Sequence, residues 1–238
     1  MINNYNLELF ISNYFKKSIK DISNSDLEKL EFISLDGINI DNQYENIDFK
    51  NIMPLFPNLK KIIINNYVFS NEDIETINNN NIIEYVFSNC NFSAVTNFDI
   101  LGKCKSLTLK RCNFVNYNFF KNNFLNLQYL EIVNPACEAS IDINDLNCLL
   151  VKELYFERCD LLNFQNISKY INCEIIDVLN TFIDSKFILE LEKCTKLKKL
   201  YISKEYISDD LINKLKLKNI DIKFDLYAFL EEDDESSI

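Results

Sequence analysis

The stretch Cys104-Lys105-Ser106-Leu107-Thr108-Leu109-Lys110-Arg111-Cys112-Asn113-Phe114 puts apolar residues at its first, fourth, sixth, ninth and eleventh positions. The same phase recurs upstream at Ile82, Tyr85, Phe87, Cys90 and Phe92, at Leu59, Ile62, Ile64, Tyr67 and Phe69, and at Leu30, Ile33, Leu35, Ile38 and Ile40. Downstream it returns at Leu127, Leu130, Ile132, Pro135 and Cys137, then at Val151, Leu154, Phe156, Cys159 and Leu161. Cys173, Ile176, Val178, Thr181 and Ile183 follow, then Leu197, Leu200, Ile202, Glu205 and Ile207, and a truncated unit holds Leu217, Ile220 and Ile222. Apart from a longer first and a shorter last unit, the starts are about 22–24 residues apart. Chance apolar runs do not hold such a register along most of a chain.

Two apolar residues separated by one, as at Leu107 and Leu109, read as a short strand with alternate side chains turned inward. One such unit cannot cover its own apolar face, so neighbours stack and bury a continuous core. The pattern L-x-x-L-x-L-x-x-(N/C)-x-L resembles the leucine-rich repeat family. The resemblance implies an α/β solenoid, or horseshoe, with a parallel sheet on its concave face and short helices or 3₁₀ segments on its convex side.

Three regions are expected: an N-terminal helical cap over 1–29, eight to nine repeats over 30–224, and a cap remnant with an acidic tail over 225–238. In the first, Leu7, Phe10, Ile11, Tyr14 and Phe15 fit one helical face. Ile22-Ser23-Asn24-Ser25-Asp26-Leu27 follows, with Ser25 and Glu28 spaced as a capping box. This region resembles the caps of bacterial, internalin-like leucine-rich repeat proteins. Cys or Thr stands at much of the ninth position where those proteins carry Asn, so surface attachment and receptor binding are not carried over. Among the return segments, Ser208-Asp209-Asp210 predicts a helix to about Lys216, and Asp184 with Ser185 predicts one over 186–194.

Of 238 residues, 47% are hydrophobic, as in globular proteins, and the formal charge is −11. An acidic chain does not attract nucleic acid or an anionic membrane as a whole, so neither is an expected partner. Abundant Lys, Asn and Ile with scarce Arg and Gly suggest an AT-rich source genome. The first residues lack the long apolar stretch of a signal peptide, and no run reaches transmembrane length. A cytoplasmic monomer is expected.

The sequence has no histidine, which excludes Ser-His and Cys-His nucleophile pairs, and two glycines cannot supply a P-loop or dinucleotide fingerprint. With neither C-x-x-C nor His, zinc spacing is absent. The eight cysteines fall on core positions and read as small buried apolar groups. No catalytic residue, metal or cofactor is expected, and the chain reads as a non-enzyme.

What remains is binding. The third and fifth positions of each unit face outward from the strands, and there Phe32, Ile63, Val86, Tyr129, Tyr155, Ile175 and Tyr201 are the candidates for contact with a protein partner. A second candidate stripe runs along the eighth position, where Arg111, Arg158 and Lys204 alternate with asparagines. The alternative is a structural or regulatory subunit that assembles through its caps or convex side.

Overall fold

The structure is a computed structural model, and it describes residues 4–38, 46–78, 81–96, 98, 102–115, 124–136, 140–183 and 189–224. The helices are α1 (Tyr5–Phe15), α2 (Asn24–Leu27), α3 (Phe49–Ile52), α4 (Asn71–Asn78) and α5 (Asp209–Leu217). The strands are β1 (Phe32–Asp36), β2 (Lys61–Asn65), β3 (Glu84–Ser88), β4 (Ser106–Lys110), β5 (Tyr129–Val133), β6 (Ile141–Asp142), β7 (Glu153–Glu157), β8 (Leu161–Leu162), β9 (Ile175–Asp177), β10 (Lys199–Tyr201) and β11 (Asp221–Lys223). Nine of them form one parallel sheet in the order β1-β2-β3-β4-β5-β7-β9-β10-β11, and β6 pairs β8 separately. The chain is a leucine-rich repeat solenoid.

The register explains the stacking. Leu107 pairs with Tyr85 on one side and Leu130 on the other, and Leu130 in turn with Leu154. The fourth-position ladder from Ile33 to Leu200 is fully buried, as is the sixth-position row Leu35, Ile64, Phe87, Leu109, Ile132 and Phe156. At the eleventh position aromatic rings stack from unit to unit. Phe92 lies 4.6 Å from Phe69 at 3° and 4.8 Å from Phe114 at 1°.

The ninth position carries a row of donors. Cys90 Sγ donates to the Ile64 and Ser88 carbonyls, Cys112 Sγ to Phe87 and Lys110, and Cys159 Sγ to Ile132 and Glu157. Thr181 Oγ1 does the same for Phe156 at 2.7 Å and Leu179 at 3.4 Å. Each thiol or hydroxyl thus ties its own unit's seventh carbonyl to the sixth carbonyl of the unit before. This corrects the reading of these cysteines as merely apolar filler: buried carbonyls need partners, and a short side chain with one donor supplies them. All seven described cysteines are free and buried; Cys137 lies outside the described residues.

The eighth position turns the chain. Asn66, Asn89, Arg111, Asn134, Arg158 and Asn180 all have φ between 44° and 54°. Left-handed backbone favours Asn among non-glycine residues, which accounts for the asparagines of this column. Gly37 ends β1 for a different reason. A Cβ there would meet the Asn66 carbonyl oxygen at 2.3 Å, so the close approach of two turns excludes any side chain.

At the N-terminal end, α1 lies against β1 with Leu7 and Ile11 buried. Asn4 caps it, accepting from the Leu7 N–H at 2.9 Å. The capping box of α2 is shifted from the expected Ser25 and Glu28. Ser23 is the N-cap and Asp26 its reciprocal partner, with Asp26 N–H donating to Ser23 Oγ at 3.2 Å and Ser23 N–H donating to Asp26 Oδ2 at 3.1 Å. Both spacings fit an S-x-x-acid pattern, but Asp26 also reaches Lys17 and Lys29, which settles the choice.

The last unit is a second correction. Leu200 pairs with Ile222, not Ile220, so the true third and fifth positions are Asp221 and Lys223, and Leu217 is 85% exposed on α5. A two-residue slip preserves the inside–outside alternation of a strand, so the apolar pattern alone could not detect it. The helix expected after Ser208 is present as α5, with Ser208 Oγ accepting from Leu211 N–H. Most of the 186–194 helix, and the tail beyond Phe224, lie outside the described residues.

Candidate functional site

The outward rows of the sheet bring the candidate residues into a defined order. By register, the fifth-position row runs Ser34, Ile63, Val86, Thr108, Glu131, Tyr155, Asp177, Tyr201 and Lys223. The third-position row beside it runs Phe32, Lys61, Glu84, Ser106, Tyr129, Glu153, Ile175, Lys199 and Asp221. Adjacent strands of a sheet are about 4.8 Å apart, so neighbouring members of a row touch.

The seven apolar and aromatic candidates do not form one continuous stripe. Phe32 is packed by the cap helix: its ring is 5.4 Å from Phe10 and 5.8 Å from Tyr14, both edge-on. Ile63 and Val86 are half-buried neighbours on β2 and β3, flanked by the Lys61–Glu84 ion pair at 3.5 Å. The small residues Ser106 and Thr108 of β4 separate them from the second half of the face.

That second half is built from tyrosines and carboxylates. The Tyr129 and Tyr155 rings are 5.2 Å apart with a 35° tilt. Tyr129 donates its hydroxyl to Glu131 Oε2 at 2.9 Å, and Tyr155 donates to Glu153 Oε2 at 2.9 Å. Glu131 also accepts from Thr108 Oγ1 at 3.1 Å and pairs with Lys110 Nζ at 2.9 Å. Asp177 follows Tyr155 in the row, and its Oδ1 accepts from the Leu179 N–H at 3.0 Å. Ile175 and Tyr201 complete this half, both half-buried.

The electrostatics follow from that crowding. Burial, then the adjacent Glu131, pushes the Tyr129 phenol well above its usual range. Burial and Glu153 do the same to Tyr155. The Asp177 carboxyl is raised too, by burial first and then by the like charges of Glu157 and Glu131, against the lowering effect of the Leu179 N–H. Four carboxylates, Glu131, Glu153, Glu157 and Asp177, thus share this ground with two paired cations, Lys110 and Arg158. Nothing in the third and fifth rows of the sequence separates Glu131, Glu153 and Asp177 from a solvated face. The tyrosine–acid alternation across β5 and β7 is the signal that marks them.

The eighth-position candidates have other commitments. Arg111 and Arg158 occupy the left-handed turns at the sheet's edge, and Arg158 Nε lies 3.8 Å from Glu157. Lys204 is in a 3₁₀ turn, where its ammonium pairs with Asp209 in the first turn of α5 and lies 5.5 Å from the Phe224 ring centre. The second-position lysines join a ladder of exposed pairs, with Lys60 on Glu31 and Lys198 on Glu174.

On another edge, Leu125, Leu149, Leu150 and Ile171 are exposed in three consecutive units, just ahead of the strands. There, Asn58, Asn126 and Asn172 each donate a side-chain amide to a carbonyl of the preceding unit, at 2.8, 2.8 and 3.3 Å. Leu150 occupies the corresponding place in its unit and cannot do so. Among the described residues no His/Cys/Asp/Glu group is arranged to hold a metal, and no helix is long and apolar enough to cross a membrane.

No protein-family model matches the sequence, and no curated protein matches it. Two solved structures from Listeria monocytogenes are similar in fold. Internalin C2 aligns with a TM-score of 0.55 at 16% identity, covering 85% of this chain and 94% of that one. Internalin F aligns with a TM-score of 0.54 at 14% identity, covering 93% of this chain and 68% of that one. The chain therefore has an internalin-like leucine-rich repeat fold.

Proposed function

We propose that this internalin-like leucine-rich repeat solenoid is a protein-interaction module that binds its partner on the outward face of the nine-stranded sheet, the expected concave side. The observation that carries the reading is the Tyr129–Tyr155 pair with Tyr201 nearby. Aromatic side chains half-buried on an unpartnered sheet supply large contact area at little ordering cost. Ile63 and Val86 extend that area toward β2, with Phe32 and Ile175 at its margins. Arg111, Arg158 and Lys204 contribute, at most, a rim of positive charge. The module acts without catalysis or cofactor, as a cytoplasmic monomer, and its partner is a protein rather than nucleic acid or membrane. The proposed division is a cap over 1–29, repeats over 30–224 and a tail over 225–238.

The test is affinity capture from the source organism with the wild-type chain and with Tyr155→Ala/Tyr201→Ala. The expected result is loss of a specific captured protein with little change in Tm. Equal capture by both chains would sink the reading.

A second reading is favoured by the exposed Leu125, Leu149, Leu150 and Ile171 edge. Contiguous apolar surface of this kind serves assembly. A stable homo-oligomer in sizing chromatography that Leu149→Ser/Leu150→Ser returns to monomer would establish that reading in place of the first.

A further inference from the structure

We propose that the tyrosine–carboxylate half of the sheet face receives an arginine- or lysine-bearing segment of the protein partner. This rests on the reading of that face as the binding surface and names the chemistry it selects.

Charge complementarity carries the inference. The register gathers Glu131, Glu153, Glu157 and Asp177 on three adjacent strands. Lys110 neutralises Glu131 and Arg158 approaches Glu157, which leaves Glu153 and Asp177 without a cation on this stretch. Glu153 instead accepts a tyrosine hydroxyl, and Asp177 a backbone N–H. Lys199 is the next cation along the sheet, beside Ile175 on β10, whereas the charges that act on Asp177 are those of Glu157 and Glu131. Like charges held this close raise the energy of the empty face, and an arriving cation removes that repulsion.

The geometry suits such a group. The tilted Tyr129 and Tyr155 rings stand between Glu131 and Glu153, so a guanidinium or ammonium laid over them meets an aromatic face and two carboxylates together. The remainder of the face, at Ile63 and Val86, holds no comparable charge beyond the closed Lys61–Glu84 pair. The cationic group is therefore directed to β5, β7 and β9 rather than spread along the sheet.

The probe is a nona-arginine peptide titrated into isotopically labelled protein and followed by amide chemical shifts. Shifts are expected to concentrate on β5, β7 and β9. Glu131→Gln/Asp177→Asn should weaken binding by about five- to tenfold and flatten its salt dependence. Glu75→Gln/Glu205→Gln removes equal charge from exposed positions elsewhere and should leave the affinity unchanged. Tm measured for each variant guards against misfolding. Shifts scattered over the molecule, equal losses in both variants, or no binding would each overturn the proposal. If the natural partner still required Tyr155 and Tyr201 in that event, only the cationic chemistry would be wrong; if it did not, the binding face itself would be.

Discussion

Truncating Phe92 to Ala should expose how strongly neighbouring units depend on one another. The Phe92 ring is 1% exposed and is sandwiched between Phe69 and Phe114, with Phe87 at 5.2 Å and Phe98 at 5.5 Å around it. Removing a buried phenylalanine costs about 3–5 kcal/mol through lost transfer energy and the cavity left behind. Two parallel stacks place Phe92 toward the upper end, since aromatic pairs contribute about 0.5–1.5 kcal/mol beyond their area. In a domain of this size each kcal/mol moves Tm by roughly 2–4 °C, so the loss should be on the order of 8–20 °C. Phe182 is the control. It also lies on the segment after its strand but is 69% exposed, and Phe182→Ala should stay within about 0.5 kcal/mol of wild type. Urea unfolding followed by far-ultraviolet circular dichroism measures both. A Phe92→Ala loss below about 1.5 kcal/mol, or equal losses for the two variants, would refute the ring column as a stacking element.

Other expectations follow from single positions. Arg111→Asn places a residue suited to left-handed backbone at φ 53° and should raise stability by up to about 1 kcal/mol, read by urea unfolding; a loss would mean that the Arg111 side chain makes a stabilising contact. Asp177→Asn keeps the acceptor for Leu179 N–H but removes a crowded charge. A carboxyl whose folded pKa is raised loses stability as pH rises through that value, so the variant's Tm should exceed wild type at neutral pH and converge with it below the ordinary aspartate range. Burial pushes the Cys104, Cys148 and Cys173 thiols up to about 12 and Cys194 to about 11. Few thiolates then exist at pH 8, and the described cysteines should react with a disulfide reagent roughly a hundredfold more slowly folded than in urea.

The architecture was legible because a parallel solenoid repeats one burial pattern at one pitch. Leu107, Leu130 and Leu154 pair as their phase requires. Legibility failed where a different physical rule governed the same letters. The asparagines of the eighth column, with Arg111 and Arg158 among them, are set by backbone handedness, which leaves no trace in hydrophobic periodicity. The final unit slipped by two residues because Ile220 and Ile222 keep the same alternation in either register, and only the strand pairing distinguishes them. The cysteines were rightly placed inside, but their donor role depends on which carbonyls the turn leaves open, a three-dimensional fact. At the binding face, Phe32 stands in the right row, yet the aromatic residues of α1 reach it first. Glu131 and Glu153 gain meaning only once Tyr129 and Tyr155 are seen to point their hydroxyls at them.

Strand-to-strand contact in the main sheet runs between immediate neighbours. Pulled from its two ends, such a molecule has no long-range strut to snap. Force would peel it coil by coil, each coil giving way as its own ring and thiol links part, so that it stretches like a spring.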